Sequence, residues 1–170
     1  RQLYRWYTMS EDGRPITCSN GMTVTPDMAL EPLPANSYGF VCSGVEPQDT
    51  VTDGTLNWLR REDRFGRRLG SICSGAFALA RAGILKNRRF TMHWENQPGL
   101  IEEFPDLQPS PNLYEVDGRI MTCGRGNSAL DMILTLIEQR HGSELAILLA
   151  DMCLHMPSAA PRPPTRPATH

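Results

Sequence analysis

One cysteine in this sequence stands where a reactive thiol could form. The segment Gly70-Ser71-Ile72-Cys73-Ser74-Gly75 leads from an apolar, strand-like run into a run of small residues typical of a helix. A cysteine at such a corner, with Ser71 and Gly75 two positions to either side, fits the pattern of a nucleophile elbow. Helix N–H groups beside the sulfur would favour the thiolate and lower its pKa, or bind a carboxylate. The alternative is that Cys73 is a small core residue at a strand end.

A histidine that could assist this cysteine follows the next predicted strand. His93 lies within Thr91-Met92-His93-Trp94-Glu95. Ligand sites of open α/β sheets lie at the carboxyl ends of strands, so Cys73 and His93 could share one crevice. The other histidines lie at a predicted helix end and near or in the C-terminal tail: His141, His155 and His170. Trp94 is predicted to be a core residue, with a ligand platform as the alternative.

Two more loops are expected at the same edge of the sheet. One is the turn that contains Cys123 and Gly124, and the other contains Gly44 and Val45. Backbone N–H groups of a glycine turn can hold an anion, although an ordinary tight turn explains the residues equally well. Neither loop matches a nucleotide-binding motif. Together the loops predict a pocket lined by Gly44, Val45, Cys73, Ser74, His93, Trp94, Glu95, Cys123 and Gly124.

The order of the predicted elements indicates a layered α/β fold. Strands are predicted at 3–9, 16–18, 22–25, 38–42, 68–72 and 88–92, with a hairpin of 113–116 and 119–122. Helices are predicted at 53–64, capped by Asp53, and at 74–82 and 95–104. A capping box of Ser128 and Asp131 predicts the start of another. The inward stripes of the last two helices are predicted to be Leu130, Ile133, Leu134 and Ile137, then Leu145, Leu148, Leu149 and Met152.

Composition excludes several classes of protein. The 170 residues carry a net charge of −2, so no general basic excess supports nucleic-acid binding by this piece. No apolar run is long enough to span a bilayer, and no signal peptide opens the chain. The 5 cysteines are scattered and never form a CxxC pair, which argues against a disulfide framework and a metal site. A cytoplasmic location without membrane contact is the expectation.

The composition changes near the C-terminal end. Prolines recur from Pro157 to Pro167, which is typical of a stiff linker or a disordered tail. We therefore expect one domain over residues 1–155 and a proline-rich tail over 156–170.

Several ordered motifs together resemble a known family. The elbow segment, followed by Ala82-Gly83-Ile84-Leu85, is similar to that of the ThiJ/PfpI superfamily. The segment around His93 narrows the resemblance to the N-terminal sensor domains of AraC/XylS-type transcription regulators. Further matching motifs are Glu103-Phe104-Pro105, Asp117-Gly118-Arg119, Thr122-Cys123-Gly124 and Ala129-Leu130-Asp131-Met132.

The resemblance implies a fold and a function. The fold would be a three-layer α/β sandwich, flavodoxin-like and class I glutamine-amidotransferase-like, with a mostly parallel sheet and helices on both faces. The domain would form a homodimer and bind a small-molecule effector, amino-acid-derived or of quaternary-amine type. DNA would be bound by a C-terminal helix-turn-helix domain absent from this chain, and no cofactor is implied.

The sequence departs from the resembled family in three ways. A strand and helix that precede the segment matching Leu3 are missing, and with them the acidic partner of the elbow cysteine. No helix-turn-helix follows His155. Ser74 stands where the related peptidases have histidine, which argues against peptidase activity.

Three hypotheses remain. The leading one is a non-catalytic, ligand-sensing domain of a transcription regulator. The second is a cysteine-dependent hydrolase, hydratase or glyoxalase-like enzyme, with Cys73 as nucleophile and His93 as acid/base group. The third is a scaffold that serves only dimerisation.

Overall fold

Eight short strands and five helices make up the described part of the chain, residues 2–47, 51–124 and 126–154 of a computed structural model. The strands are β1 (Met9–Ser10), β2 (Ile16–Thr17), β3 (Thr23–Val24), β4 (Met28–Ala29), β5 (Tyr38–Ser43), β6 (Arg68–Cys73), β7 (Tyr114–Asp117) and β8 (Ile120–Cys123). The helices are α1 (Asp53–Arg64), α2 (Ala76–Arg81), α3 (Gln97–Glu103), α4 (Gly126–His141) and α5 (Ser143–Met152), with a 3₁₀ turn at Trp94–Asn96.

The main sheet has the strand order β5-β6-β8-β7. Strands β5, β6 and β8 are parallel, while β7 is antiparallel to β8 at the edge. The hairpin of β7 and β8 turns at Gly118, whose φ of +62° lies in the left-handed region that glycine adopts without strain. The predicted mostly parallel sheet and the predicted hairpin are both confirmed.

Separate apolar cores lie on the two faces of this sheet. On one face, Leu69 and Ile120 pack with side chains of α1, α2 and α3, among them Leu59, Phe77 and Leu100. On the other face, Met121 and Cys123 pack with Met132 and Leu136 of α4. Adjacent residues of a strand point to opposite faces, so Ile120 and Met121 enter different cores. The predicted three-layer sandwich with helices on both faces is confirmed.

Helices α1 and α2 differ in detail from the sequence prediction. Leu56 and Leu59 of α1 are buried as predicted, but the N-cap is Thr52, whose hydroxyl accepts the Thr55 N–H. Helix α2 begins at Ala76 and not at Ser74, because the chain uses Ser74 and Gly75 to turn out of β6.

The predicted strand at 3–9 is wrong over most of its length. Only Met9 and Ser10 form a strand, β1, which pairs with β4. The preceding aromatic residues lie at the surface, and Trp6 is 82% exposed. Aromatic residues favour strands only where a neighbouring strand supplies hydrogen bonds, and no described strand lies beside this segment.

The predicted strand at 88–92 is also wrong, although Phe90, Thr91 and Met92 are buried. Its backbone donors bind side chains instead of a neighbouring strand: the Arg89 N–H donates to Asp117 Oδ2 (2.9 Å) and the Thr91 N–H to Thr122 Oγ1 (2.8 Å). The Thr91 hydroxyl in turn donates to the carbonyls of Ser110 and Asn112. These bonds hold the segment without a regular strand ladder.

The last two helices pack differently from the prediction. Helix α4 begins at Gly126, so Ser128 and Asp131 are buried within the helix and do not form a capping box. Of its predicted stripe only Leu134 is buried. In α5 the buried residues are Ala146 and Ala150, and the predicted inward stripe is wrong, since Leu148 is 56% and Met152 73% exposed. Small residues allow α5 to lie close to α4, which leaves its large residues outside.

No helix in residues 2–47, 51–124 and 126–154 is both long and apolar enough to cross a membrane. The expected tail at 156–170 lies outside the described residues, as do His155 and His170.

Candidate functional site

The chain turns sharply at Cys73, the last residue of β6. Cys73 has a φ of +60°, a left-handed conformation that L-residues other than glycine seldom adopt. The sequence prediction of an elbow at this point is therefore confirmed as local structure. The side chain is half-buried, so Cys73 is not the fully enclosed core residue of the alternative interpretation.

Close backbone packing explains the small residues around the elbow. A Cβ atom at Gly75 would lie 2.3 Å from the Val41 carbonyl oxygen, so only glycine fits there. Ser74 is fully buried, and its hydroxyl donates to the Gly44 carbonyl over 2.5 Å. Ser74 therefore connects the elbow to the loop that follows β5.

His93 reaches the elbow through the backbone. Its N–H donates to the Cys73 carbonyl over 3.3 Å, so the backbones of the two residues are adjacent. Among the described residues, however, no hydrogen bond joins the Cys73 thiol to the His93 ring. A general base must reach the proton that it removes, and this pair does not show that contact.

Trp94 and Glu95 extend the site from His93 towards solvent. The prediction that Trp94 lies in the core is wrong, because its side chain is 57% exposed. Its ring stacks on the His93 imidazole with centroids 6.0 Å apart and planes inclined by 27°. Glu95 Oε2 lies 3.8 Å from His93 Nδ1. An exposed indole beside a carboxylate is a surface that attracts cations.

Cys123 lies beneath the elbow. It is completely buried, and burial raises the pKa of its thiol, while hydrogen bonds from the Cys73 backbone and the Ser128 side chain act in the opposite direction. Gly124 follows it, and a Cβ there would lie 2.7 Å from the Met92 carbonyl oxygen. The turn after β8 is thus pressed against the segment that carries His93. Cys123 supports the elbow from below and is not open to solvent.

The loop after β5 forms another part of the edge. The Gly44 carbonyl accepts the hydrogen bond from the Ser74 hydroxyl, whereas Val45 is 68% exposed. Cys42 precedes this loop, and burial of its sulfur raises the pKa of its thiol even though much of the residue is exposed.

Sequence reasoning missed the hairpin of β2 and β3 as a neighbour of the site. A Cβ at Gly44 would lie 3.3 Å from the Ser19 hydroxyl, which places the tip of that hairpin beside the loop after β5. Asn20-Gly21 is a turn signal between the two predicted strands at 16–18 and 22–25. The position of the hairpin next to Gly44 depends on a contact between distant parts of the chain, for which the sequence held no signal.

The arrangement combines an exposed indole and carboxylate, which attract cations, with a partly accessible cysteine whose backbone is strained. In the described residues no group of three His, Cys, Asp or Glu side chains could hold a metal ion. All five cysteines are free.

The structure is a three-layer α/β sandwich with a mostly parallel sheet. It carries a cysteine elbow at the carboxyl end of the central strand β6, and these two features together define its structural class. A family model described as DJ-1/PfpI family matches residues 2–139. This chain therefore belongs to the DJ-1/PfpI family.

The chain is similar in sequence to proteins that are named as transcriptional regulators. The chain is 44% identical over 149 residues to the HTH-type transcriptional regulator CdhR of Pseudomonas aeruginosa, a match that covers 88% of this chain and 44% of that protein. It is 41% identical over 168 residues to the HTH-type transcriptional regulator GlxA of Rhizobium meliloti, covering 98% of this chain and 52% of that protein. The chain thus spans about half the length of these curated relatives.

A solved structure supports the same fold. The crystal structure of an AraC family transcriptional regulator from Pseudomonas putida matches with a TM-score of 0.78 over 89% of this chain and 82% of that chain. At 22% identity this likeness concerns the fold alone. The sequence-based resemblance to the sensor domains of AraC-type regulators is confirmed.

Proposed function

We propose that this chain is the ligand-sensing domain of a transcription regulator, and that it binds a small metabolite at the edge formed by the cysteine elbow. The observation that carries the proposal is an elbow without a complete catalytic set. Cys73 is strained and accessible, yet its thiol makes no hydrogen bond to the neighbouring His93 ring in the described structure. The similarity to proteins named as transcriptional regulators supports the same conclusion.

The proposed site has a buried part, which fixes the elbow, and an exposed part, which would contact the ligand. Ser74, Gly124 and Cys123 are buried and fasten the elbow to its neighbouring loops. Trp94, Glu95 and Val45 are exposed and would meet the ligand. The buried residues position the backbone of the elbow, and the exposed residues supply the contacts that select the ligand.

The exposed residues of the proposed site favour a ligand that carries both a positive and a negative charge. Trp94 and Glu95 would attract a cationic group, by cation–π and by charge attraction, worth about 0.5–1 kcal/mol for an exposed cation–π contact. N–H groups of the elbow would meet a carboxylate. A small amino-acid-derived or quaternary-amine metabolite has this arrangement of charges.

Calorimetry tests the location of the site. Amino acids and betaines are titrated into the wild-type chain and into Cys73→Trp, whose larger side chain should fill the space above the elbow. The matched control is Cys153→Trp, which places the same change on an exposed cysteine beyond α5. Binding should be lost only in Cys73→Trp, and equal binding by all three proteins would contradict the proposed site.

A pair of ligands tests the role of charge. A betaine is compared with its isostere in which a tert-butyl carbon replaces the quaternary nitrogen. Trp94→Leu and Glu95→Gln should weaken binding of the betaine and leave binding of the isostere unchanged. The reasoning fails if both ligands lose affinity equally, because the two differ only in the positive charge.

Dimerisation and DNA binding complete the proposed role. The relatives are named HTH-type transcriptional regulators, which supports DNA binding by the whole protein through a helix-turn-helix segment outside this chain. We propose in addition that this domain forms a homodimer and acts in the cytoplasm. Analytical ultracentrifugation of this chain tests the dimer. A monomer at all concentrations would contradict it.

A cysteine-dependent enzyme is the second candidate. It is favoured by the left-handed backbone at Cys73 and by the adjacent His93. Such an enzyme requires a reactive thiolate, so Cys73 should alkylate at pH 6 faster than a free thiol. A rate no faster than that of the free thiol removes the basis for catalysis.

A further inference from the structure

A groove lies at the end of the main sheet opposite the elbow, where β5 and β6 begin and α4 ends. Its volume is about 260 Å³. Its apolar lining comes from Val116, Met121 and Leu136, and its polar lining includes Arg68, Gln139 and Arg140. Among the residues that the structure describes, no acidic side chain lines the groove.

Two arginines of this groove converge on one aromatic ring. The guanidinium carbon of Arg68 lies 5.4 Å from the centroid of the Tyr38 ring, and that of Arg140 lies 6.0 Å from the same centroid. Tyr38 and Arg68 are register partners on adjacent strands, while Arg140 comes from the last turn of α4. The fold therefore brings two cations together from elements distant in sequence.

The charges of these two arginines are not balanced by acids. Within the ranges that the structure describes, neither guanidinium lies within ion-pair distance of a carboxylate. Cation–π contact with Tyr38 stabilises each arginine singly, and the helix dipole favours Arg140 at the end of α4. Neither effect removes the repulsion between two like charges near one ring. An anion bound in the groove that both arginines line would offset it, and its charge-assisted hydrogen bonds would be strong.

The apolar lining adds a second requirement for the occupant. Val116 is half-buried and lines the groove, so some hydrocarbon surface lies beside its cations. A bare inorganic anion would leave this surface uncovered. An anion on a short apolar body would meet both the guanidinium groups and the lining.

We propose that this groove binds a small organic anion, a carboxylate or phosphate monoester on a short apolar body, through Arg68 and Arg140. The site is separate from the elbow. Along β5 and β6 the register pair Tyr38 and Arg68 is five residue steps from the pair Ser43 and Cys73, which is about 17 Å at the rise of a strand. The two sites share no residue.

An NMR titration of the full chain tests the proposal. The probes are hexanoate, hexyl phosphate, hexanol and inorganic phosphate, and the signals followed are the amide of Gly118 and the side-chain amide of Gln139, which both line the groove. The variants are Arg68→Gln and Arg140→Gln. The matched control is Arg64→Gln, which removes an exposed arginine at the end of α1. Arg140 is itself exposed, so its variant remains informative if Arg68→Gln fails to fold.

The expected result has three parts. Hexanoate, hexyl phosphate or both shift these signals saturably, whereas hexanol and inorganic phosphate bind at least tenfold more weakly. Each groove variant lowers the affinity about tenfold or more, as loss of a charge-assisted hydrogen bond predicts. Arg64→Gln binds like the wild type. Comparison of the two organic anions identifies which head group the arginines prefer.

Other results would overturn the proposal. Hexanol binding as tightly as hexanoate would show that the arginines do not select an anion. Inorganic phosphate binding equally to every variant would indicate attraction by general surface charge. If the groove variants change the sedimentation mass and leave anion affinity unaltered, the groove holds a second copy of the chain instead.

Discussion

Backbone strain at Cys73 can be measured by comparing two substitutions. The left-handed conformation brings Cβ close to the following carbonyl oxygen, at a cost of about 1–2 kcal/mol that alanine retains and glycine escapes. Glycine is the more flexible residue in the unfolded chain, which disfavours it by about 0.5–1 kcal/mol. Cys73→Gly should therefore be more stable than Cys73→Ala by about 0.5–1 kcal/mol. For a chain of this size that difference raises Tm by about 1–4 °C.

Ser71 supplies the matched control two residues earlier in the same strand. It is buried, its φ is not in the left-handed region, and its hydroxyl has no hydrogen-bond partner to lose. Here Ser71→Gly should be less stable than Ser71→Ala, by about 0.5–1 kcal/mol. Thermal unfolding of all four variants by circular dichroism gives the two differences. If alanine is the more stable choice at both positions, Cys73 is not strained and the reasoning about the elbow fails.

Four further outcomes are expected. Gly75→Ala should lower stability by about 1–3 kcal/mol, because its Cβ would overlap a backbone carbonyl of β5, whereas Gly126→Ala meets nothing within 4 Å and should unfold within about 2 °C of the wild type in the same melt. Ser74→Ala should cost about 1 kcal/mol in urea unfolding through loss of its buried hydrogen bond, and an unchanged midpoint would show that this bond contributes nothing. Cys123 should alkylate far more slowly than the exposed Cys153 at pH 8, as peptide mass spectrometry can measure. The raised pKa of the Cys123 thiol favours its neutral form in the folded state. The stability that this thiol contributes is therefore present below the pKa of the unfolded thiol and decreases as the pH rises above that pKa. Cys123→Ala should make the free energy of unfolding less dependent on pH in this range.

The elbow could be predicted because its causes are local. Strand-forming residues before Cys73, small residues at Ser74 and Gly75, and a helix-forming run after them are all adjacent in the sequence. The hairpin around Gly118 was predictable for the same reason. Where a segment depended on a neighbour, local pattern failed: the aromatic run before Met9 lacks a strand beside it, and the segment before His93 uses side-chain acceptors instead of a ladder.

Burial was harder to predict than secondary structure. Trp94 has a large aromatic side chain of the kind that usually lies in a core, yet it is 57% exposed, directly after the residue whose N–H binds the Cys73 carbonyl. In α5 the large residues gave the stronger hydrophobic pattern, yet the buried residues are Ala146 and Ala150. Close approach of two helices selects the smallest residues, an effect that hydrophobic periodicity does not register.

The sequence by itself therefore determined the α/β class, the cysteine elbow and the family resemblance. Tertiary structure decided which residues touch: His93 meets Cys73 through the backbone, and the tip of the β2–β3 hairpin lies beside Gly44. It alone brought Arg68 and Arg140 to one ring. The reason is physical: turns and helix starts depend on residues a few positions apart, whereas contacts between distant segments depend on how whole elements pack.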